Sequence, residues 1–459
     1  MLNPYLVLVG EIAQSQGKGS AVPHHQSLAA PQQNEQTNPS PASGAAAPGS
    51  DATSFVPGST VGSFNQSGAL VLGKVLIKPS AAISYAYESN LQALSAGYQP
   101  DRALMVSPTI EAFIPLTRNG IRFEYSMQYR NYQRYDLRRN FDHSFNADSM
   151  FDISPILSLA VRDHFSMSSV NSQEFMPGRE IVFSDSVFKR NDLGLLANWT
   201  LTENDSLAFN AGWNHVFFDK PSGNTNTPFY DYDQYGFGGS YKHDVSERLG
   251  VFASGSYRQN TTGDARDLAN SRGFEFSGGI DGMLTPLISA QLGIGVRYDR
   301  YPSAARTSAT GLVFRGSVSK EISERSNIAL SFSRSSNLSN FQENSYFVTT
   351  GIGVSYSRDV RPNIQVYATS AYQRNGYPLL LEAAAGIPSN LVGNNARRDS
   401  FVDAGFGALY RYNDWLAMDL HFDITRRYSD LSQYRFQSYR GVINFLIGSK
   451  GAATGRSPY

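Results

Sequence analysis

Ten consecutive residues near the carboxyl end of this chain alternate between apolar and polar side chains. In the stretch 416–425, one set of positions holds only leucine, methionine, phenylalanine and isoleucine. The other set consists of Ala417, Asp419, His421, Asp423 and Thr425. Successive side chains of a β-strand point to opposite faces, so this spacing predicts strands with one apolar and one polar face. The same alternation recurs in 121–130 and 328–333.

The apolar faces of these strands need a covering layer, and the sequence supplies no helices to provide it. The mean hydropathy is −0.33, and no run of apolar residues is long enough for a transmembrane helix, which needs about 18 or more. Aromatic residues reach 12%, and there are 40 glycines. These features predict an all-β fold: a transmembrane antiparallel up-and-down β-barrel, with lipid outside and water inside, in the outer membrane of a Gram-negative-type bacterium.

Other bulk properties are consistent with that interpretation. The chain has no cysteine, which suits an oxidising compartment without a disulfide framework. Its formal net charge is +0, so bulk charge gives no reason to expect a nucleic-acid partner.

Short polar turns alternate with longer loops from about residue 74 to residue 447. The short turns lie at 117–120, 153–155, 202–205, 246–248, 284–286, 323–326, 358–363 and 412–415. The long loops lie near 89–101, 134–139, 171–186, 218–229, 260–271, 300–309, 336–345, 375–397 and 427–433. These connections predict about 18 strands, with 16 possible, short turns in the periplasm and long loops outside.

A β-propeller is the rival all-β architecture, because one hairpin with its loop recurs at roughly the 40–45-residue period of a propeller blade. A blade has four short strands, whereas each period here holds two strands of about the 9–11 residues or more that cross a bilayer. No Gly-His or Trp-Asp signature recurs, so the barrel is favoured.

The two ends of the chain differ from the barrel in composition. Residues 1–15 are predicted to be the remnant of a signal peptide, with an apolar run and a small-residue cleavage site, and a short disordered N-terminus is the alternative. Residues 16–72 are rich in Gln, Pro, Ser and Ala and predict a disordered periplasmic segment, with a plug inside the pore as the alternative. The barrel is assigned to 73–448 and a C-terminal tail to 449–459.

Alternation also predicts which polar side chains face the lumen. The predicted pore-lining residues are Arg122, Glu124, Gln128, Arg130, Arg162, His164, Gln291, Arg297, Arg315, Asp403, Asp419, His421, Asp423, Arg440 and Asn444. Charges at bilayer depth are tolerable where they meet water or each other. This wall is either a solvated lattice of ion pairs or a field that selects a polar solute.

Glycine pairs recur within the predicted strands and are predicted to face inwards. They are Gly236/Gly238, Gly293/Gly295, Gly351/Gly353 and Gly405/Gly407. None belongs to a Gly-x-Gly-x-x-Gly motif that opens a helix, which argues against nucleotide binding. Relief of curvature in a tilted barrel is favoured over close approach of a ligand.

No enzymatic motif stands out in the sequence. Asp419, His421 and Asp423 would place an imidazole between two carboxylates, as a hydrolase could use. There is no Gly-x-Ser-x-Gly, no His-Glu-x-x-His and no Cys/His cluster with metal spacing. We therefore predict no catalytic, cofactor-binding or metal-binding residue.

Two short motifs resemble a known family. The segment 78–90 begins its strand with Pro79 and Ser80 and ends with a Tyr-x-x-Asn-like pattern at Asn90. Residues 129–132, Tyr-Arg-Asn-Tyr, are similar to that family's third strand. Over about 74–447, the chain resembles the outer-membrane barrels described as putative beta-barrel porin 2, which are associated with exopolysaccharide biosynthesis and secretion loci.

The resemblance implies a barrel of about 18 strands and, in some members, export of a surface polysaccharide. It therefore implies outer-membrane lipid, a polysaccharide and a periplasmic export protein as partners. Two other functions remain open: a general diffusion porin for small polar solutes, and a non-conducting structural or adhesive barrel. Aromatic stretches such as 297–301 could stack on sugars or could form the outer aromatic girdle.

Overall fold

The structure, a computed structural model, describes residues 69–116, 119–135, 140–171, 183–219, 231–262, 270–301, 308–338, 346–377 and 397–448. These residues form nineteen strands and a single 3₁₀ turn at Ser432–Tyr434. The strands are β1 (Leu70–Leu72), β2 (Val75–Glu88), β3 (Asp101–Pro115), β4 (Gly120–Tyr132), β5 (Phe141–Ser154), β6 (Leu157–Asn171), β7 (Phe183–Thr200), β8 (Asp205–Phe218), β9 (Tyr232–Ser246), β10 (Leu249–Thr262), β11 (Ser271–Thr285), β12 (Ile288–Arg300), β13 (Ala309–Ser323), β14 (Ser326–Leu338), β15 (Tyr346–Arg361), β16 (Ile364–Tyr377), β17 (Arg397–Arg411), β18 (Leu416–Ser429) and β19 (Phe436–Gly448).

Each strand from β2 to β19 pairs antiparallel with its neighbours in sequence, and β19 pairs with β2 to close the ring. The predicted up-and-down barrel of 18 strands is therefore confirmed. Closure satisfies the backbone of both end strands, which would otherwise present unpaired edges to lipid. The one additional strand, β1, pairs with Val75–Ile77 of β2, beyond the point where Gly448 ends β19.

Five hairpins share one local design at the short-turn end of the barrel. In each, a two-residue turn follows a β-bulge that inserts one extra residue. The bulged residues are Ile153, Val245, Leu284, Ile322 and Val360, and all are apolar and exposed. In four of the five, a Ser or Thr hydroxyl after the bulge accepts a hydrogen bond from a backbone N–H of the turn. Such bulges bend the strand and increase its twist.

The outward face of the barrel is apolar and lacks a covering layer within the described chain. Leu420, Ile294 and Phe276 are exposed, as are most outward leucine, isoleucine and phenylalanine residues. Exposed outward aromatic side chains gather towards both strand ends, as in the interfacial girdles of such barrels. Near the loops they include Tyr87, Tyr235, Phe274, Tyr298, Tyr372 and Tyr439, and near the turns Phe151, Trp199, Tyr241, Tyr410 and Trp415.

Glycines on the inward face make room for neighbouring side chains. The ring of Phe252 lies over Gly293, Asn210 over Gly238, Asp423 over Gly405, and Tyr367 over Gly407; a Cβ at any of these glycines would come close to that side chain. The groups that approach these glycines closely are therefore side chains of this chain itself.

None of the described residues forms a helix that is long and apolar enough to cross a membrane. The predicted signal remnant, most of the 16–72 segment and the tail lie outside the described residues, so those domain boundaries stay predictions. Leu70–Leu72, which the sequence placed in the 16–72 segment, forms β1.

Candidate pore and its lining

Alternation along the strands places all the predicted wall residues on the inward face. Arg130, Arg297, Asp403, Asp419, His421, Arg440 and Asn444 are buried, whereas Arg162 and Arg315 are exposed on the same face. Outward neighbours such as Leu420 are exposed and apolar. That the inward residues line an open pore stays a prediction.

Around β3 to β5, the inward arginines are held by carboxylates. Arg122 lies 2.5 Å from Glu111 and 2.9 Å from Glu124. Arg130 lies 2.5 Å from Asp142, and its Nε donates a hydrogen bond to the side-chain carbonyl of Gln128 at 2.5 Å. These positive charges are neutralised locally, on adjacent strands of the wall.

A second group lies on β5 to β7. Arg162 is 2.7 Å from Asp148 across the β5–β6 pair, and the His164 ring lies 2.5 Å from the Asn146 side-chain oxygen. Residues 190 and 192 on β7 form a further pair, with Arg190 Nε 2.6 Å from Asp192. Sequence reasoning missed that pair, although its spacing of two places both side chains on one face.

A third group lies on β11 to β13. Arg297 Nε lies 3.0 Å from Asp299, and Arg297 Nη1 lies 3.6 Å from Glu275 on the adjacent strand. Gln291 pairs with Asp281 across the β11–β12 ladder. Arg315 is exposed on the inward face, as Arg162 is, but no carboxylate of the described residues lies within salt-bridge distance of Arg315.

The fourth group contains the Asp-x-His-x-Asp alternation of β18. His421 Nδ1 lies 3.1 Å from Asp419, and its Nε2 lies 3.6 Å from Asp423. Asp419 also accepts hydrogen bonds from the Tyr367 hydroxyl at 2.6 Å and from the Asn444 amide at 3.0 Å. The imidazole does lie between the two carboxylates, and the set extends over β16, β18 and β19.

The remaining predicted residues of this group, Asp403 and Arg440, also have partners on adjacent strands. Thr425 donates a hydrogen bond to Asp403 at 2.8 Å, and Arg440 pairs with Asp423 in the β18–β19 ladder. Among the described residues, no group of three or more potential ligands is arranged to hold a metal ion.

Sequence reasoning missed a buried cluster near the loop ends of β16 to β19. Asp399 lies 2.6 Å from both Arg397 and Arg427. The ring of Tyr434, in the 3₁₀ turn between β18 and β19, lies 3.9 Å from the Arg397 guanidinium and 5.1 Å from that of Arg427. Tyr377 contacts Arg397 from another side at 4.5 Å. The sequence had assigned Arg397 and Arg427 to loop ends, where alternation carries little weight.

A sector of the wall between these charged groups is polar but uncharged. Its inward side chains on the loop-side halves of β14 to β16 are serine, threonine, asparagine and glutamine, with glycine and alanine between them. The stacked rings of Phe347 and Tyr377 border the sector at its loop end. Thr349 lies at its centre, accepting a hydrogen bond from Asn337 at 2.9 Å and donating one to Asn375 at 3.1 Å. Gln373 donates to Asn375 at 3.0 Å. The predicted residue list contains no member of this sector, because it was built mainly from charges.

Comparison with known protein families identifies the family of this chain. The family model described as Putative beta-barrel porin 2 matches residues 63–447. No curated protein matches the chain. Similar solved structures include the outer membrane protein OpdK of Pseudomonas aeruginosa, with 13% identity, a TM-score of 0.45, and 81% of this chain and 99% of that chain covered.

Two further structures have comparable similarity. OccK2 (OpdF) of Pseudomonas aeruginosa, solved with glucuronate, has 10% identity and a TM-score of 0.46, with 82% of this chain and 99% of that chain covered. The siderophore receptor PirA of the same organism has 9% identity and a TM-score of 0.44, with 81% of this chain and 80% of that chain covered.

Proposed function

This chain belongs to the family described as Putative beta-barrel porin 2, and on that premise we propose that it conducts uncharged polar solutes. It is a porin-like β-barrel channel of the outer membrane. The more specific proposal is a sugar polymer, exported to the cell surface as an exopolysaccharide and delivered by a periplasmic export protein. A general diffusion porin for small polar solutes is the alternative.

The observation that supports this proposal is the uncharged sector on β14 to β16, whose buried amides are bonded to one another around Thr349 and whose partly exposed hydroxyls include Ser331 and Ser335. Hydroxyl and amide groups exchange hydrogen bonds with sugar hydroxyls without the strong desolvation cost of a charge. Elsewhere on the described wall, most arginines are paired with a carboxylate, so their fields largely cancel. A wall of this kind favours passage of neutral polar molecules over strong selection for one ion.

The proposal is tested with the full chain reconstituted in vesicles. Swelling in neutral oligosaccharides and conductance in salt are measured for the wild type and for the double variant Ser331→Val with Ser333→Val, which removes two inward hydroxyls. We expect oligosaccharide flux to fall relative to ion conductance. The control is Ser370→Val, which removes a hydroxyl from the outward face of β16 in the same part of the wall. Unchanged relative flux in the double variant would contradict a role of this sector.

A second experiment distinguishes export of a polysaccharide from diffusion of small solutes. Deletion of the gene should abolish surface polysaccharide and leave uptake of small solutes intact if the cargo is a polysaccharide. Normal surface polysaccharide with impaired small-solute uptake would instead assign a general porin. A protein that is silent in bilayers would favour the structural or adhesive barrel.

A further inference from the structure

At the loop end of the barrel, the ladder between β13 and β14 stops early. The last residue pair that joins them is Phe314 with Arg334, although both strands continue towards the loops. Each strand stays paired with its other neighbour, β12 or β15, over this length. The described wall is therefore split between residues 309–313 of β13 and residues 335–338 of β14. We call this split the β13–β14 slot.

Two arginine side chains satisfy backbone carbonyls beside the slot. Continuing the register beyond Phe314–Arg334 would pair Leu312 with Ser336. Instead, the Leu312 carbonyl accepts a hydrogen bond from Arg334 Nε at 3.2 Å, and the Ser336 carbonyl accepts one from Arg258 Nη2 at 3.3 Å. Backbone carbonyls at membrane depth are costly when unpaired. These two contacts therefore stabilise the split arrangement.

Gly311 shows that the lumen side of the slot is open. No described atom lies within 4 Å of the position that a Cβ would take at this glycine. Thr310, Gly311 and Leu312 are all exposed, although successive residues of a strand face opposite sides. Both faces of this segment are therefore accessible, from the lumen and from the membrane side.

The slot lies at the level of the loop-side aromatic residues. Thr310 pairs with Tyr298, which pairs with Phe274, and both aromatic side chains are outward and exposed. Leu312, two residues deeper, presents an apolar side chain outwards. Since aromatic belts mark the membrane interface, the slot lies at head-group level, on the long-loop side that the sequence predicts to face outside.

Contacts inside the barrel show where the loop ends of β14 and β15 lie. The Tyr301 ring, at the end of β12, stacks on Tyr346 at the start of β15, with centroids 5.3 Å apart and planes 14° apart. Arg258 reaches β14 from β10, four strands away. The loop ends of β14 and β15 therefore lean into the barrel, and the end segment of β13 remains at the wall.

We propose that the β13–β14 slot is a lateral passage for a single-chain amphipathic molecule with an anionic head group. The apolar chain would remain with Leu312 and the outward face, while the head group enters past Arg334 towards the serine and asparagine side chains of β14. This route lies beside the axial path of the proposed channel and is independent of what that channel carries. A lysophospholipid has the required shape and charge.

The geometry of the slot is tested by disulfide formation, because the chain has no native cysteine. Ser335→Cys combined with Thr349→Cys spans a paired position of β14 and β15. Gly311→Cys combined with Asn337→Cys spans the slot three residues beyond the last paired position, where continuing the register would pair these two residues. A disulfide needs Cα atoms within about 7 Å, so mild oxidation should close the first pair and leave the second open. Equal closure of both pairs in the reconstituted protein would overturn the slot.

Access from lipid is tested by fluorescence quenching in vesicles that contain nitroxide-labelled lysophosphatidylglycerol. A fluorophore attached at Gly311→Cys should be quenched, and one at Ser317→Cys should not be, since Ser317 lies on the same face of β13 where pairing is complete. Equal quenching at the two positions, or none at either, would overturn the passage. Cross-linking of two barrels through Gly311→Cys would assign the exposed edge to a second copy and would also overturn it.

Discussion

At the scale of single residues, alternation along the strand decides whether a side chain faces lipid or the lumen. The contacts of that side chain then decide how much stability a substitution costs. Leu420 is 51% exposed and Asp419 is 2% exposed, although they are adjacent. Alternation alone places Asp419 in water, where an arginine would be tolerated. The structure instead gives Asp419 contacts with Tyr367, His421 and Asn444. We therefore expect Asp419→Arg to destabilise the barrel as well, so it cannot serve as the control for Leu420→Arg.

A cleaner comparison is Leu420→Arg with Ser256→Arg. Leu420 faces lipid, where arginine costs about 2–4 kcal/mol near mid-membrane. Ser256 is exposed on the inward face and lies opposite Glu275, which can accept the new charge. We expect a large loss of folded barrel for the first variant and little loss for the second, measured by refolding yield in lipid vesicles. Equal losses would mean that the inward and outward faces are wrongly assigned.

Two wall arginines should differ in what their removal changes. Arg297→Gln leaves Asp299 and Glu275 without their shared cation in a buried site, which should cost about 3–5 kcal/mol of stability. Arg315→Gln removes an exposed charge and should leave stability nearly unchanged. Both variants lose an inward positive charge, so reversal potentials in a salt gradient should shift towards cation selectivity. Opposite shifts, or equal unfolding midpoints in urea, would contradict these environments.

At the scale of strand pairs, small residues and bulges shape the wall. The five bulged hairpins place one extra apolar residue at the short-turn rim, and the inward glycines leave space that adjacent side chains fill. At Gly407 the neighbour is Tyr367, whose hydroxyl continues to Asp419. A glycine on β17 thereby positions a hydrogen bond between β16 and β18.

We expect Gly407→Val to displace the Tyr367 ring and cost about 1–3 kcal/mol. In a double-mutant cycle with Tyr367→Ala, the combined loss should be smaller than the sum by about 0.5–3 kcal/mol, because both changes remove the same contact. Gly311→Val is the control, since no described atom lies within 4 Å of its Cβ position. Strict additivity of the Gly407 and Tyr367 effects in urea unfolding would contradict the contact.

At the scale of the whole molecule, closure between β19 and β2 makes the barrel one cooperative unit. The ladder runs around the full ring, so opening it exposes two strand edges to lipid. We expect the purified protein to keep a β-sheet circular-dichroism signal in detergent and to migrate faster unheated than boiled on a denaturing gel. A helical spectrum, or solubility without detergent, would contradict this architecture.

The sequence by itself predicted an up-and-down barrel of about 18 strands, with 16 possible, and a polar inward face whose role as a pore lining stays a prediction. Both follow from local information: a two-residue period and polar turns whose spacing can be read along the chain. It also singled out His421 and its two flanking carboxylates, because they lie on one strand. It could not place Arg397 and Arg427 beside Asp399, since both arginines lie at the edges of predicted loops, where alternation does not fix the strand register.

Only the tertiary structure decided the contacts between strands that are distant in sequence. Tyr367 with Asp419, Arg258 with the Ser336 carbonyl, and Tyr301 with Tyr346 each join positions that no local pattern relates. The early end of the β13–β14 ladder is of the same kind. Residues 334–337 are polar on both faces of β14 and residues 312–314 are apolar on both faces of β13, so alternation gives no register there. The structure shows that side chains from other strands satisfy carbonyls that a continuous ladder would have paired.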